Sequence, residues 1–200
     1  SSAASDVYKR QEVFTALSPM TEGLSRTPGM PYNIKEQPTL TFVARQKGEA
    51  WNRPFVAIYE PSSVKEPGCI TEVSFPEVKS KTENSATGIC VVQKNGRTDY
   101  ILSSDNPTDI CTSGKMSAQA TYALWGNKKG DDCTFFLGYG TLLSTPNVVI
   151  KAETPADVLL EFKKGTWYYT ASTDCTVSIQ KKTYKLKANT CLLYTSPSPR

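Results

Sequence analysis

The chain has 200 residues, of which 38% are hydrophobic and 10% aromatic, and its formal net charge at pH 7 is +4. This composition predicts a folded chain with one sizeable core, because disordered chains are poor in aromatic residues. No apolar stretch approaches the roughly 20 residues that cross a bilayer, so no membrane partner is expected.

Histidine is absent from the sequence. Without it the chain cannot contain a Ser-His-Asp triad, a Cys-His pair or a zinc site with histidine ligands. The sequence also has no CxxC pair, P-loop or GxSxG motif, so we expect no metal and no cofactor. The 23 basic and 19 acidic residues form no long block of one sign, so no nucleic-acid partner is expected either.

Both ends of the chain resemble translated sequencing-adapter read-through at the edges of metagenomic gene fragments. The two stretches are residues 1–11, SSAASDVYKRQ, and residues 191–200, CLLYTSPSPR. We therefore predict one β-sandwich domain at residues 12–190, as a fragment of a longer protein, flanked by two foreign tails. Residues 195–199 have a loop composition and are expected to complete no strand.

Alternation of apolar and polar residues predicts strands in the first part of the domain. The predicted strands lie at residues 39–44, 55–59 and 70–75. Residues 55–59 are apolar on both faces, which favours a central strand of the sandwich. The Pro- and Gly-rich residues 19–38 are expected to form an ordered loop or a strap across it.

Two hairpins are predicted next. Residues 88–93 and 98–103 flank Asn95-Gly96, which predicts a type I′ turn with positive φ at both turn residues. Residues 118–125 and 133–139 are expected to form the second hairpin. Further short strands are predicted at 147–152, 158–162, 166–170, 176–180 and 183–187. About a dozen short strands indicate an all-β fold, an antiparallel β-sandwich.

The cysteine content does not decide whether the chain contains a disulfide. Residues 12–190 contain an odd number of cysteines, so at least one thiol is free. Cys111 and Cys133 flank predicted strands and could form a disulfide.

Residues 45–53 connect two predicted strands and are rich in charged, amide and aromatic side chains. A tryptophan beside an amide and an arginine suits a sugar ligand, because indole stacks on a sugar ring and arginine binds a carboxylate or sulfate with two hydrogen bonds. The predicted substrate-binding residues are Arg45, Glu49, Trp51, Asn52 and Arg53. The same segment could instead be a structural loop in which Trp51 covers the end of the sandwich and Glu49 pairs with an arginine.

Two more features have a structural and a functional interpretation. Glu60 follows a predicted strand, where it could pair with Arg45 or Arg53, or act as a general base. The structural role is favoured. In Trp167-Tyr168-Tyr169 the middle residue is expected to face away from the other two. One face would then pack in the core, and the other could be an exposed strip that binds glycan.

Residues 40–46, 48–49 and 54–61 resemble the C-terminal β-sandwich of heparinase II/III-like polysaccharide lyases. In that family a strand followed by an arginine precedes a second strand that ends in Glu-Pro, as Glu60-Pro61 does here. Residues 95–100 and 133–162 extend the resemblance over most of the predicted domain.

The resemblance implies a secreted or periplasmic enzyme that cleaves acidic polysaccharide by β-elimination. A base removes the proton α to a uronate carboxylate, and an acid protonates the leaving oxygen. Family members use Tyr and His at the junction with an upstream α-helical toroid. This chain has no histidine and no toroid pattern, so no catalytic residue is assigned, although Tyr32 and Tyr59 stay as candidates to contribute.

The resemblance thus predicts a non-catalytic C-terminal part of a lyase. Its implied partners are an acidic polysaccharide and the upstream toroid domain of the same chain. The alternative is a stand-alone β-sandwich module with a carbohydrate-binding or structural role.

Overall fold

The computed structural model describes residues 11–18, 39–46, 56–128, 132–188 and 194–195. The chain divides into two units, residues 1–53 and 54–200. In the first unit, β1 (Gln11–Ser18) and β2 (Thr39–Gln46) form a two-stranded antiparallel sheet. The predicted strand at residues 39–44 is confirmed. β1 was not predicted, because it begins inside the stretch interpreted as a tail. The predicted loop or strap at residues 19–38 lies outside the described residues.

The second unit is an antiparallel sheet whose fold class matches the all-β, sandwich-like prediction. Its strands are β3 (Ile70–Ser74), β4 (Val78–Lys79), β5 (Ala86–Gln93), β6 (Arg97–Ser104), β7 (Cys111–Ser113), β8 (Met116–Lys128), β9 (Cys133–Ser144), β10 (Val148–Lys163), β11 (Thr166–Ala171), β12 (Cys175–Ile179), β13 (Lys182–Leu186) and β14 (Tyr194–Thr195). The spatial order is β13-β12-β10-β9-β8-β6-β5-β3, while β11 also pairs with β10 and β7 with β8. In the described part of the chain, no helix is long and apolar enough to cross a membrane.

The three long central strands β8, β9 and β10 bend and take part in two layers. Residues 148–152 of β10 pair with β12, whereas residues 158–163 pair with β11. β8 divides in the same way, since its start pairs with β7 and residues 122–128 pair with β6. Register shifts fall at the division in both strands. Such bulges bend a strand and increase its twist. The first layer therefore contains β7, β12 and β13, and the second contains β5, β6 and β11.

The core lies between these layers. Alternation points every second side chain of each strand inward. Fully buried members include Leu102, Leu137, Leu143, Ile150 and Val158, each 0% exposed. Where the strands bend, Gly140 is required because a Cβ there would lie 2.7 Å from the backbone oxygen of Gln119 and 2.7 Å from Leu137 Cδ1. The bend thus brings β8 and β9 into close contact and closes one end of the core.

Three strand predictions are wrong. Of the strand predicted at 55–59, the described residues 56–59 form no strand, and Ile58 and Tyr59 are 40% and 86% exposed. Pro54 and Pro61 bracket this apolar run, and prolines disfavour pairing inside a sheet. The strands predicted at 147–152 and 158–162 are not separate either, because residues 148–152 and 158–162 belong to the single 16-residue β10. The intervening exposed residues form its bulge. The prediction that residues 195–199 complete no strand also fails at Thr195, which pairs with Thr166.

The first hairpin is confirmed, but its turn type is not. Among the turn residues only Gly96 has positive φ, at 82°. Its N–H donates to the carbonyl oxygen of Gln93 at 3.0 Å. These features are typical of a three-residue loop in which a type I turn precedes a left-handed glycine. Asn95 contributes differently from the prediction, because its side-chain oxygen accepts a 2.9 Å hydrogen bond from the Arg97 N–H.

The Cys111–Cys133 disulfide, which the sequence left open, does not form. All five cysteines of the described residues are free. Cys111 is buried in β7, opposite Ala118 in the first layer, whereas Cys133 begins β9 in the second layer beside Phe162. The bend in β8 and β9 separates the two residues.

Candidate functional site

The layers of the second unit separate at the end opposite the bend and enclose a cleft of about 840 Å³. The register explains its position. β10 begins at residue 148 in the first layer and ends at residue 163 in the second, so both of its ends lie away from the bend. The β9–β10 and β12–β13 turns border the opening, and Thr145, Asn147 and Gln180 line it there.

One wall of the cleft is aromatic. Strand pairing aligns Tyr100 with Trp125, Trp125 with Phe135, and Phe135 with Leu160 across the second layer. The ring centroids of Tyr100 and Trp125 are 5.0 Å apart with an interplanar angle of 22°. Stacking of this kind fixes ring orientation as well as burying area. The wall therefore presents rings that are already held in place.

A second aromatic pair lies nearer the opening. Trp167 is opposite Phe162 in the β10–β11 register, with ring centroids 5.0 Å apart. Trp167 also contacts Phe135 at a centroid distance of 6.3 Å. Because Trp167 is only half-buried, part of its indole remains available to a ligand.

The facing wall is mostly aliphatic. β12 and β13 contribute Val177, Ile179, Tyr184 and Leu186. Val177 and Leu160, on opposite layers, are 1% and 2% exposed. The cleft is therefore closed by core residues on its inner side and accessible from the mouth.

The mouth carries amides and cations. Lys182 lies at the start of β13, opposite Ile179, and is exposed. Lys128 also lines the cleft, together with Asn127, Asn147 and Gln180, whereas no described residue of the lining is acidic. The Gln180 N–H donates to the carbonyl oxygen of Asn147 at 3.1 Å, which ties the two turns together. An ammonium group with three donors suits an anionic ligand.

The Cys133 thiol and the Tyr169 hydroxyl in the cleft are poorly suited to act as a nucleophile or a base. Burial is the main cause that raises the pKa of the Cys133 thiol, with the nearby Asp132 adding to it. A raised pKa keeps the thiol protonated and therefore weakly nucleophilic. The Tyr169 hydroxyl oxygen accepts a 3.4 Å hydrogen bond from the Lys187 N–H, and Tyr169 is 6% exposed. Among the described residues, no group of three or more His, Cys, Asp or Glu could hold a metal ion.

Most of the site predicted at residues 45–53 is not described by the structure. Arg45 lies in β2 of the first unit, with an exposed side chain and its backbone in register with Glu12. Glu49, Trp51, Asn52 and Arg53 fall outside the described residues, as does Tyr32. Their role in substrate binding stays a prediction.

Glu60 has the structural role that the sequence favoured, although with different partners. Its carboxylate accepts hydrogen bonds from the backbone N–H groups of Cys69 and, at 2.8 Å, Ile70. The Ile70 hydrogen bond is the main cause that lowers the pKa of Glu60. A carboxylate with a lowered pKa is a weaker base. Glu60 therefore anchors residues 60–70 to the start of β3.

The predicted alternation in Trp167-Tyr168-Tyr169 is confirmed. Trp167 and Tyr169 belong to the lining of the cleft, whereas Tyr168 does not. The sequence missed Trp125 and Lys182 as cleft residues. Period-two alternation in the sequence could have placed each of them on an inward face of its strand. It could not show which strands lie next to β8 and β13, and so could not bring the two residues to one cleft.

Comparisons with known proteins support a relationship to the C-terminal region of a polysaccharide lyase. Residues 76–162 match the model of the endo-acting ulvan lyase C-terminal domain. The chain is also 29% identical over 147 residues to an endo-acting ulvan lyase of Formosa agariphila. That similarity covers 70% of this chain and 16% of the relative, so the chain spans a small part of that protein. No solved structure matches the chain.

Proposed function

We propose that this chain is the non-catalytic C-terminal β-sandwich of a polysaccharide lyase whose catalytic core lies upstream. The observation that carries the proposal is the match of residues 76–162 to the C-terminal domain of an endo-acting ulvan lyase. This range includes β8, β9 and all but the last residue of β10, which bend to form the two layers and supply Trp125, Phe135 and Phe162 to the cleft.

The substrate in this proposal is a uronate-containing acidic polysaccharide cleaved by β-elimination, as the heparinase II/III-like resemblance implies. The proposal places the enzyme outside the cytoplasm, secreted or periplasmic, with an α-helical toroid preceding the sandwich. Ulvan is the first polysaccharide to test, because a similar protein is named for it.

Two of the described ionisable groups, Tyr122 and Asp99, are poorly suited to act as the base of a β-elimination. β-Elimination needs a base whose pKa lies near the working pH. Burial is the main cause that raises the pKa of Tyr122, and Asp99 adds to this, so its phenolate is disfavoured. Asp99 is itself occupied, since it accepts hydrogen bonds from Arg97 Nε at 2.7 Å and Gln93 Nε2 at 3.0 Å.

The cleft favours a second candidate function, a stand-alone carbohydrate-binding module. Aromatic rings and lysines at an open mouth could bind glycan without an upstream enzyme. Extending the source gene upstream of residue 12 separates the two. A long helical region with Tyr and His near the junction supports the lyase, whereas a signal peptide running directly into Glu12 supports the module.

Binding and activity of the purified 200-residue chain test the proposal directly. We expect ulvan or polygalacturonate, but not neutral dextran, to retard the chain in affinity gel electrophoresis. No unsaturated uronate should appear in the ultraviolet absorbance. Release of that product by the chain alone would refute a non-catalytic role. Absence of retardation at millimolar sugar, corresponding to less than about 4 kcal/mol of binding, would refute a polysaccharide-binding role.

A further inference from the structure

The cleft of the second unit is larger than an ordinary packing defect. Protein interiors contain few voids larger than a water molecule. A volume of about 840 Å³ instead lies within the roughly 300–1,000 Å³ typical of ligand pockets. Its walls change character along the strands, from fully buried aliphatic residues near the bend to half-buried rings and exposed polar groups at the mouth.

The side chains of the mouth limit the class of ligand. Trp167 offers a flat apolar face, which suits a sugar ring. Lys182 and Lys128 add positive charge with no described carboxylate among the lining residues. Water solvates these ammonium groups when no ligand is bound, and a purely apolar ligand would gain nothing from them, whereas a sugar with a carboxylate or sulfate would use both the ring and the charge.

We infer that this cleft is a binding site for one anionic sugar residue, a uronate or a sulfated sugar, which stacks on Trp167 and pairs its acidic group with Lys182. Because buried Leu160 and Val177 close the inner side, the sugar enters from the mouth as a chain end or a side branch. The inference rests on the proposed function and adds the location and orientation of the glycan.

Tryptophan fluorescence can report occupancy of the cleft. The chain has three tryptophans, and Trp125 and Trp167 both line the cleft. In a Trp51→Phe chain every remaining tryptophan is therefore a cleft residue. We expect lyase-generated ulvan oligosaccharides to change its fluorescence in a saturable way, and neutral maltooligosaccharides to leave it unchanged.

Matched variants of β13 test the lysine. Lys182 and Lys185 are both exposed residues of the same strand, but Lys185 lies on the opposite face by alternation. We expect Lys182→Gln to raise the Kd for ulvan oligosaccharides about tenfold, the effect of losing one charged hydrogen bond. Lys185→Gln should change the Kd by less than about twofold, since its charge is remote and screened.

Matched variants of β11 test the ring. Trp167→Ala should abolish the fluorescence response and the oligosaccharide binding, whereas Tyr168→Ala, on the outer face of the same strand, should retain both. Thermal unfolding of each variant shows whether it is folded. Lys182→Gln, at an exposed position, keeps the inference testable if Trp167→Ala does not fold.

Three results would overturn the inference alone, without overturning the proposed function. The first is equal Kd values for Lys182→Gln and Lys185→Gln. The second is gel retardation of the Trp51→Phe chain by ulvan without any fluorescence change, which would leave the proposed function intact and move the glycan elsewhere. The third is loss of retardation in the Trp51→Phe chain itself, which would assign binding to residues 45–53. If the unaltered chain is not retarded by any acidic polysaccharide, the binding part of the proposed function fails together with the inference.

Discussion

The two ends of the second unit are built by the same strands but differ in what their side chains do. At the bend, inward positions hold Leu137, Val158 and Ala171, which are 0–1% exposed. At the opening, the corresponding inward positions hold Phe162 and Trp167, which are half-buried. The bend end is packed for stability, whereas the open end leaves rings accessible. Substitutions at the bend should therefore affect folding, and substitutions at the opening should affect binding.

The largest expected effect is that of Leu137→Ala at the bend. Leu137 is fully buried, so its truncation leaves a closed cavity and should lower the free energy of unfolding by about 2–5 kcal/mol. Ile179→Ala at the opening removes a half-buried side chain from a cleft that is already open. Its cost should stay below about 2 kcal/mol, because a half-buried side chain removes less apolar area from water on folding than a fully buried one. Urea unfolding of both variants measures the difference, and equal costs would contradict the contrast between the ends.

The next effect is that of Gly140→Ala. The added Cβ would meet Ala120 Cβ and lie 2.7 Å from the Gln119 backbone oxygen. We expect about 1–3 kcal/mol of destabilisation from overpacking. Adding Ala120→Gly removes one opposing methyl group and should restore part of the loss, which a double-mutant cycle in urea would detect. A Gly140→Ala chain as stable as the parent would show that the strands are not in close contact at the bend.

Much of this fold could be predicted from alternation and turn residues, because each strand of a hairpin is adjacent in sequence to its partner. The bulge of β10 could not. Its residues Glu153, Thr154, Pro155 and Asp157 are polar or exposed, which is also the composition of a turn. One bent strand differs from two separate strands only in how the segments on either side of the bulge pair with their neighbours. That pairing involves β9, β11 and β12 together.

The candidate site was less predictable for the same reason. Residues 45–53 were predicted as a site because their suitable side chains are consecutive in sequence. The cleft instead combines Trp125, Trp167 and Lys182 from three strands. Alternation correctly placed Trp167 and Tyr169 on one face of β11. Which strands pack opposite that face depends on the bend in the long strands, and no single stretch of the sequence indicates that bend.

A smaller effect, of opposite sign, is expected at Tyr139, an exposed residue of the bend with a φ of 45°. This left-handed conformation is unfavourable for a tyrosine and better tolerated by asparagine. Tyr139→Asn should therefore stabilise the chain by up to about 1 kcal/mol without changing glycan binding. The control is Tyr59→Asn, since Tyr59 is 86% exposed and has no positive φ. Equal changes in the urea midpoint would rule out backbone strain as the cause.

The smallest effect concerns the exposed pair of Asp174, in the β11–β12 connection, and Lys187, which follows β13. Lys187 Nζ donates to Asp174 at 2.6 Å, and the Ala188 N–H donates to the same carboxylate at 2.9 Å. The Lys187 hydrogen bond is the main cause that lowers the pKa of Asp174 below its ordinary value of 3.8. A lowered folded-state pKa stabilises the protein above that ordinary value, and the contribution is lost as the pH falls through the lowered pKa.

Asp174 also raises the pKa of Lys187 above 10.5, so the lysine's contribution is complete below that pH and lost above it. Because both groups are exposed, solvent and salt screen the pair, and the effect should be small at neutral pH. Asp174→Asn should flatten the acid limb of a stability–pH curve measured in urea at low salt, whereas Asp105→Asn, at an exposed carboxylate, should leave it unchanged. An acid limb identical in the parent and Asp174→Asn chains would mean that this pair does not contribute to the stability of the bend end.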